Sequence, residues 1–152
     1  MIGVAMMGVA IVAMLTTMTR ATETTQFSSE RNDSLDQLRV MTANFSKDLR
    51  QGIQATSISS SAMTFQTYVD GTVQTVTWDV VTTSGDERFE RTVGAGSPTV
   101  YVVKLTTPYV FDYFGTVDPK QVTRVRLALA TQPDVRHPAV EVATVVEMRN
   151  VP

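Results

Sequence analysis

The chain has 152 residues, a formal net charge of −2, one histidine and no cysteine. That length accommodates one domain, or one domain with an appendage, and is enough to bury a real core. The absence of cysteine excludes a disulfide framework, a thiolate nucleophile and a cysteine zinc site, and the balanced charge excludes a general binder of nucleic acid or anionic membrane.

Residues 1–19 (MIGVAMMGVAIVAMLTTMT) contain no charged side chain, and Arg20 is the first. A helix that crosses a bilayer needs about 20 apolar residues, so this run predicts the membrane half of an N-terminal helix. A secretory signal peptide would carry a basic start and a small-x-small cleavage site. Nothing basic precedes the run, and Leu15-Thr16-Thr17 is a poor substitute for that site. The expected placement is single-pass in the cytoplasmic membrane, with the remainder outside the cytoplasm. An apolar run that starts at the first residue also predicts that the chain begins inside a longer segment.

From Thr16 to Ile53 there is one glycine, Gly52, and no proline. A helix is therefore expected to continue into an amphipathic half over residues 20–55. Phe27, Leu35, Leu38, Met41 or Thr42, Phe45, Leu49 and Ile53 recur at helical spacing. Of these, Phe27, Leu38, Phe45, Leu49 and Ile53 are the predicted helix-to-domain packing residues. Glu30, Arg31, Asp33, Asp36, Arg39, Lys47, Asp48 and Arg50 are assigned to a solvated face. The polar stretch TETTQ (22–26) reads as exposed, Gly52 as lying near the helix end, and 57–61 as a connector.

Residues 56–152 are expected to form a β-rich domain. From Ala62 the hydrophobic period becomes two, and Asp70-Gly71 is a type I′ turn signal. A two-residue loop sets Val69 opposite Thr72, Phe65 opposite Val76 and Met63 opposite Trp78, which places the apolar residues of both arms on one face. Ser84-Gly85-Asp86 predicts a second turn, after which 88–93 returns, and residues 94–98 (GAGSP) predict a loop. Further strands are expected at 99–105, 108–114, 122–130 and 139–149. If the last two are antiparallel neighbours, Arg124 and Arg126 face the glutamates of the final strand.

Chemistry-bearing patterns are sparse. His137 is a lone histidine in a loop, no serine lies in a G-x-S-x-G turn, and no catalytic, cofactor or metal residues are assigned. Asp86, Glu87 and Glu90 interleave with Arg88 and Arg91 around a glycine turn and read as a solvated hairpin tip. Gly94-Ala95-Gly96 lacks the third glycine, the lysine and the helix of a phosphate loop. Lys120, Arg124, Arg126, Arg136 and Arg149, near Tyr109, Phe111, Tyr113 and Phe114, have the basic-plus-aromatic composition of a single-strand binder. Alternating aromatics in a strand are more often packing residues, so nucleic acid is not the expected partner.

An apolar helix running into an amphipathic half and then a β-rich domain resembles the type IV pilin superfamily. Specifically it looks like the minor pilins and pseudopilins, and the order of its features is similar to that of type II secretion pseudopilin J. Met1 to Leu15 looks like the inner part of the pilin membrane helix. Arg39-Val40-Met41 through Asp48-Leu49-Arg50 resembles the M…DLR stretch where that helix meets its domain. Phe111-Asp112-Tyr113-Phe114-Gly115 resembles an F-x-Y-x-x-G segment. Residues 122–129 with 145–150 resemble the closing strands and terminal LRN.

The basic leader, the G-F-T-L-x-E motif and the early helix glutamate of the family are not in this sequence. The likeness implies an α+β fold in which the long helix packs on an antiparallel β-rich domain. It also implies a non-enzymatic structural subunit that recognises other pilin or pseudopilin subunits and cytoplasmic-membrane lipid, at the cell surface or in the periplasm after assembly. In that setting Gly3, Met7, Gly8, Ala10 and Ala13 would form a small-residue packing surface between subunit helices. The rival expectations are a membrane-anchored extracytoplasmic binding or adhesion module and a secreted β-rich enzyme.

Overall fold

The computed structural model describes residues 2–133 and 139–148; the side chains of residues 2–13, 26–31, 33 and 34 lie outside that description. Helix α1 spans Ile2–Arg50. It is followed by β1 (Gly52–Ile58), β2 (Ala62–Val69), β3 (Thr72–Thr83), β4 (Asp86–Val93), β5 (Thr99–Val103), β6 (Phe111–Asp112), a single 3-10 turn (Pro119–Gln121), β7 (Arg124–Ala130) and β8 (Glu141–Glu147). The chain divides into two compact units, Met1–Ser34 and Leu35–Pro152.

The expected architecture of a membrane half joined to an amphipathic half is corrected by this structure. Among the described residues no helix is long and apolar enough to cross a membrane. The physical reason lies in the described side chains. Met14, Leu15 and Met18 alternate with Thr16, Thr17 and Thr19, and Arg20 and Glu23 follow within two turns. The expected single-pass anchor, with its domain outside the cytoplasm, therefore has no membrane-spanning helix among the described residues to rest on. The helix that was expected to run to residue 55 ends at Arg50. The part of α1 that belongs to the second unit starts at Leu35, and the unit is dominated by strands.

The helix also ends earlier than expected. Gln51 N–H closes the last turn on the Lys47 carbonyl at 3.2 Å, and Gly52 opens a strand. A β-carbon at Gly52 would lie 2.8 Å from the Leu49 carbonyl oxygen and 2.8 Å from Met148 Cε. Only glycine permits this close passage from helix to sheet. Ile53 is therefore a half-buried residue of β1 and not a helical one. The predicted connector at 57–61 largely dissolves as well, because β1 runs to Ile58.

Strands β1 to β5 form one antiparallel sheet in sequence order, and β6-β7-β8 form a second. The Asp70-Gly71 hairpin has the register its turn chemistry demands: Val69 faces Thr72, Phe65 faces Val76 and Met63 faces Trp78. Asp70 and Gly71 both take positive φ, 51° and 79°, as a type I′ turn requires. The Ser84-Gly85 turn has the same signature at 55° and 88°. Here β4 begins at Asp86 rather than at Arg88, because the tight turn lets pairing start at once (Thr83 with Asp86). The expected strand at 108–114 shrinks to Phe111–Asp112, because Phe114 and Gly115 turn the chain with positive φ.

The two sheets are stitched together. Val110 and Phe111 N–H both donate to the Ser60 carbonyl (2.8 and 3.0 Å), and Thr106 N–H donates to the Ala130 carbonyl at 2.8 Å. The core lies where one face of each sheet meets the last turns of α1. It contains Leu38, Met41, Phe45 and Leu49 from the helix, Met63, Phe65, Val76, Trp78 and Phe89 from the first sheet, and Val125, Leu127 and Leu129 from the second. Aromatic rings run through it. Phe45 meets Trp78 edge-on at 5.6 Å between centroids and Phe111 at 6.0 Å, and Trp78 packs on Phe89 at 5.4 Å.

On the opposite face of the first sheet, Asp79 and Glu90 are directly paired across β3 and β4, and Glu90 is buried. Burial, and then the neighbouring Glu90 charge, push the Asp79 carboxyl above its ordinary value. The folded state therefore binds that proton more readily than the unfolded chain, and stability falls as pH rises through the shifted range. Asp79→Asn is expected to raise stability at pH 7 by about 0.2–1 kcal/mol, the scale of a like-charge cross-strand pair. The gain should shrink towards pH 4, which urea unfolding at the two pH values checks.

Candidate functional site

Two features stand out: the C-terminal end of α1 within the second unit, and the exposed stretch of α1 in the first. The C-terminal end is built on Asp48. An acidic side chain in the last helical turn is poorly placed against the helix dipole. Asp48 is nevertheless 5% exposed, because it sits on the apolar stripe, three residues after Phe45 and seven after Met41. Its carboxylate accepts from Arg91 Nε at 2.7 Å and Nη2 at 3.1 Å, and from the Trp78 indole N–H at 3.1 Å. The backbone carbonyl of Asp48, left without a partner by the end of the helix, accepts from the buried Thr67 hydroxyl at 2.9 Å. The carboxylate in turn holds the Arg91 guanidinium above its ordinary value. This clamp ties helix, β2, β3 and β4 together, and it falls on a residue that the sequence reading placed on the solvated face. Its one local signal was an acid at a stripe position between Phe45 and Leu49.

Of the predicted packing residues, Leu38, Phe45 and Leu49 are buried in this core, Ile53 lies in β1, and Phe27 lies outside the described side chains. The predicted subunit-packing residues Gly3, Met7, Gly8, Ala10 and Ala13 also lie outside the described side chains.

The described part of the first unit is exposed throughout residues 14–25. Met14, Leu15 and Met18 are 71%, 60% and 66% exposed, and their spacing puts them on one side of the helix. The threonines around them turn inward. Thr19, Thr22, Thr24 and Thr25 each donate a hydroxyl hydrogen bond to the carbonyl four residues earlier, at 2.9 Å. Hydroxyls satisfied on their own helix leave methyl groups outward, so a segment that is polar by composition presents a less polar surface.

Clefts lined by described residues lie in the second unit. One, of about 440 Å³, is lined by Ile58, Phe111, Tyr113 and Val117 among others. Burial pushes the Tyr113 phenol up, and its hydroxyl reaches the Ser59 carbonyl at 2.9 Å. Another, of about 390 Å³, lies beside Lys47, Tyr68 and the Asp48–Arg91 pair. Neither brings together a nucleophile and a base. Among the described residues no three His, Asp or Glu side chains are grouped to hold a metal ion.

The remaining sequence candidates are dispersed. Glu87 accepts from Thr82 beside the β3–β4 turn, whereas Gly94 N–H closes on the Thr75 carbonyl. Arg124 lies over the Phe114 ring at 4.4 Å. Arg124 faces Glu147 as expected, but Arg126 faces Val145. His137, Arg136 and Arg149 lie outside the described residues.

The chain was compared with protein-family models, with curated proteins and with solved structures. It matches none of them.

Proposed function

We propose that the protein is a structural subunit, of the minor pilin or pseudopilin kind, that works by subunit recognition and joins its assembly through the N-terminal helix. The observation that carries this reading is the exposed apolar side of α1 at Met14, Leu15 and Met18. Exposed apolar residues gathered on one side of a helix are the mark of a surface that is covered in the working state. Two further features support it. The inward-bonded threonines smooth the same stretch, and the Asp48 clamp fixes the end of the helix in the domain core, as a domain carried on a packed helix requires. The partner class is the corresponding helix of other subunits.

Sedimentation velocity of the full chain tests the proposal. The expected result is concentration-dependent association that the double change Leu15→Lys and Met18→Lys abolishes. Both positions are exposed, so the urea midpoint of the domain should stay unchanged. A full chain that remains monomeric at high micromolar concentration, or a double variant that associates as before, sinks the proposal.

A further inference from the structure

The second sheet ends in β8, and among the described residues no strand lies beyond it. The hydrogen-bonding phase of the β7–β8 ladder follows from its two ends. Thr131 N–H donates to the Val140 carbonyl at 3.0 Å, and Met148 N–H donates to the Thr123 carbonyl at 2.9 Å. In an antiparallel ladder such bonded pairs recur at every second residue. With Arg124 opposite Glu147 and Ala130 opposite Glu141, residues Val142, Thr144 and Val146 bond to β7. Glu141, Ala143, Val145 and Glu147 then direct their N–H and C=O groups away from the sheet. The same four residues are the exposed ones of the strand, and among the described residues no strand pairs with that edge.

A seven-residue edge with a regular register is a template for an added strand. The charges decide what fits. Glu141 and Glu147 bracket the edge on one face, with Ala143 and the exposed Val145 between them. Arg124, opposite Glu147, is occupied over the Phe114 ring, and among the described residues no ion pair within 4 Å involves either glutamate. A second copy pairing antiparallel about Thr144 would set Glu141 against Glu147 at both ends, like charge facing like charge. We propose that the β8 edge docks an extended strand of a different protein, with basic residues spaced to meet Glu141 and Glu147 and small or apolar residues between.

The probe is a synthetic peptide, Lys-Val-Thr-Val-Thr-Val-Lys, added to the full-length chain and followed by amide hydrogen exchange and NMR titration. The amides of Glu141, Ala143, Val145 and Glu147 are expected to be unprotected in the free chain and protected with peptide. Those of Val142, Thr144 and Val146 are bonded to β7 in both states. A peptide with glutamate at both ends should bind at least roughly tenfold more weakly, and the double change Glu141→Lys and Glu147→Lys should reverse that order. Val145→Pro removes an outward N–H that the sheet does not use, so it should spare the fold and abolish binding.

Any of four results overturns the proposal: the four amides do not respond to millimolar peptide, they are already protected in the free chain by a second copy or another segment, the two peptides bind equally, or a folded Val145→Pro chain still binds. If Val145→Pro does not fold, the charge-reversal arm decides alone.

Discussion

Replacing Asp48 with alanine is expected to cost the second unit about 3–5 kcal/mol, the scale of breaking a buried ion pair from one side. The loss comes less from the attraction itself than from what remains. Arg91, whose side chain is 19% exposed, keeps a positive charge that has lost both oxygens of a bidentate partner, and the buried Trp78 indole N–H loses its acceptor. Asp48→Asn should recover a small part of this, because an amide oxygen still serves Trp78 but no longer neutralises Arg91. The exposed pair of Asp36 and Arg39, 3.1 Å apart but with side chains 70% and 77% exposed, is the internal control. Asp36→Ala should change stability by less than about 1 kcal/mol. Equilibrium urea unfolding, with Trp78 as the fluorescent reporter, measures all three. An Asp48→Ala midpoint close to wild type would show that water takes the place of the carboxylate and that the clamp contributes little.

Phe45→Ala is expected to have a loss of the same size, about 3–5 kcal/mol, for a different reason. Phe45 is fully buried and is the ring through which the helix touches both sheets, at Trp78 and at Phe111. Its removal leaves a cavity at the meeting point of three layers, where none can relax without moving the other two. Val40, on the outer side of the same helix, is 57% exposed, and Val40→Ala should fall within about 0.5 kcal/mol of wild type. The midpoint should move without a change in slope if Phe45 acts through packing alone. A reduced slope would indicate that the helix has come away from the domain before global unfolding.

The hairpin at Asp70-Gly71 was readable to the residue, because turn type, strand period and the inward side of the apolar residues are all local and agree. The buried positions Leu38, Phe45 and Leu49 were readable from helical spacing for the same reason. Strand β1 was missed because helix spacing and strand alternation both fit the run around Ile53, and only the tight passage at Gly52 decides between them. The strand expected at 108–114 was cut short by a positive φ at Phe114 that nothing about a phenylalanine announces. The membrane reading counted apolar residues along a charge-free run, and the described helix does not supply such a span.

By itself the sequence determined what depends on neighbours a few residues away: the period of each strand, the turns at Asp70-Gly71 and Ser84-Gly85, the helical stripe, and the lack of any cysteine chemistry. Only the tertiary structure decided where the stripe stops being apolar and takes in Asp48. The partners of that carboxylate, Trp78 and Arg91, lie 30 and 43 residues further along the chain, and a buried charge is tolerated only once both have been brought to it. The outward edge of β8 was likewise set by long-range pairing. Its outward groups follow from the β7 register, which no segment of the chain specifies alone.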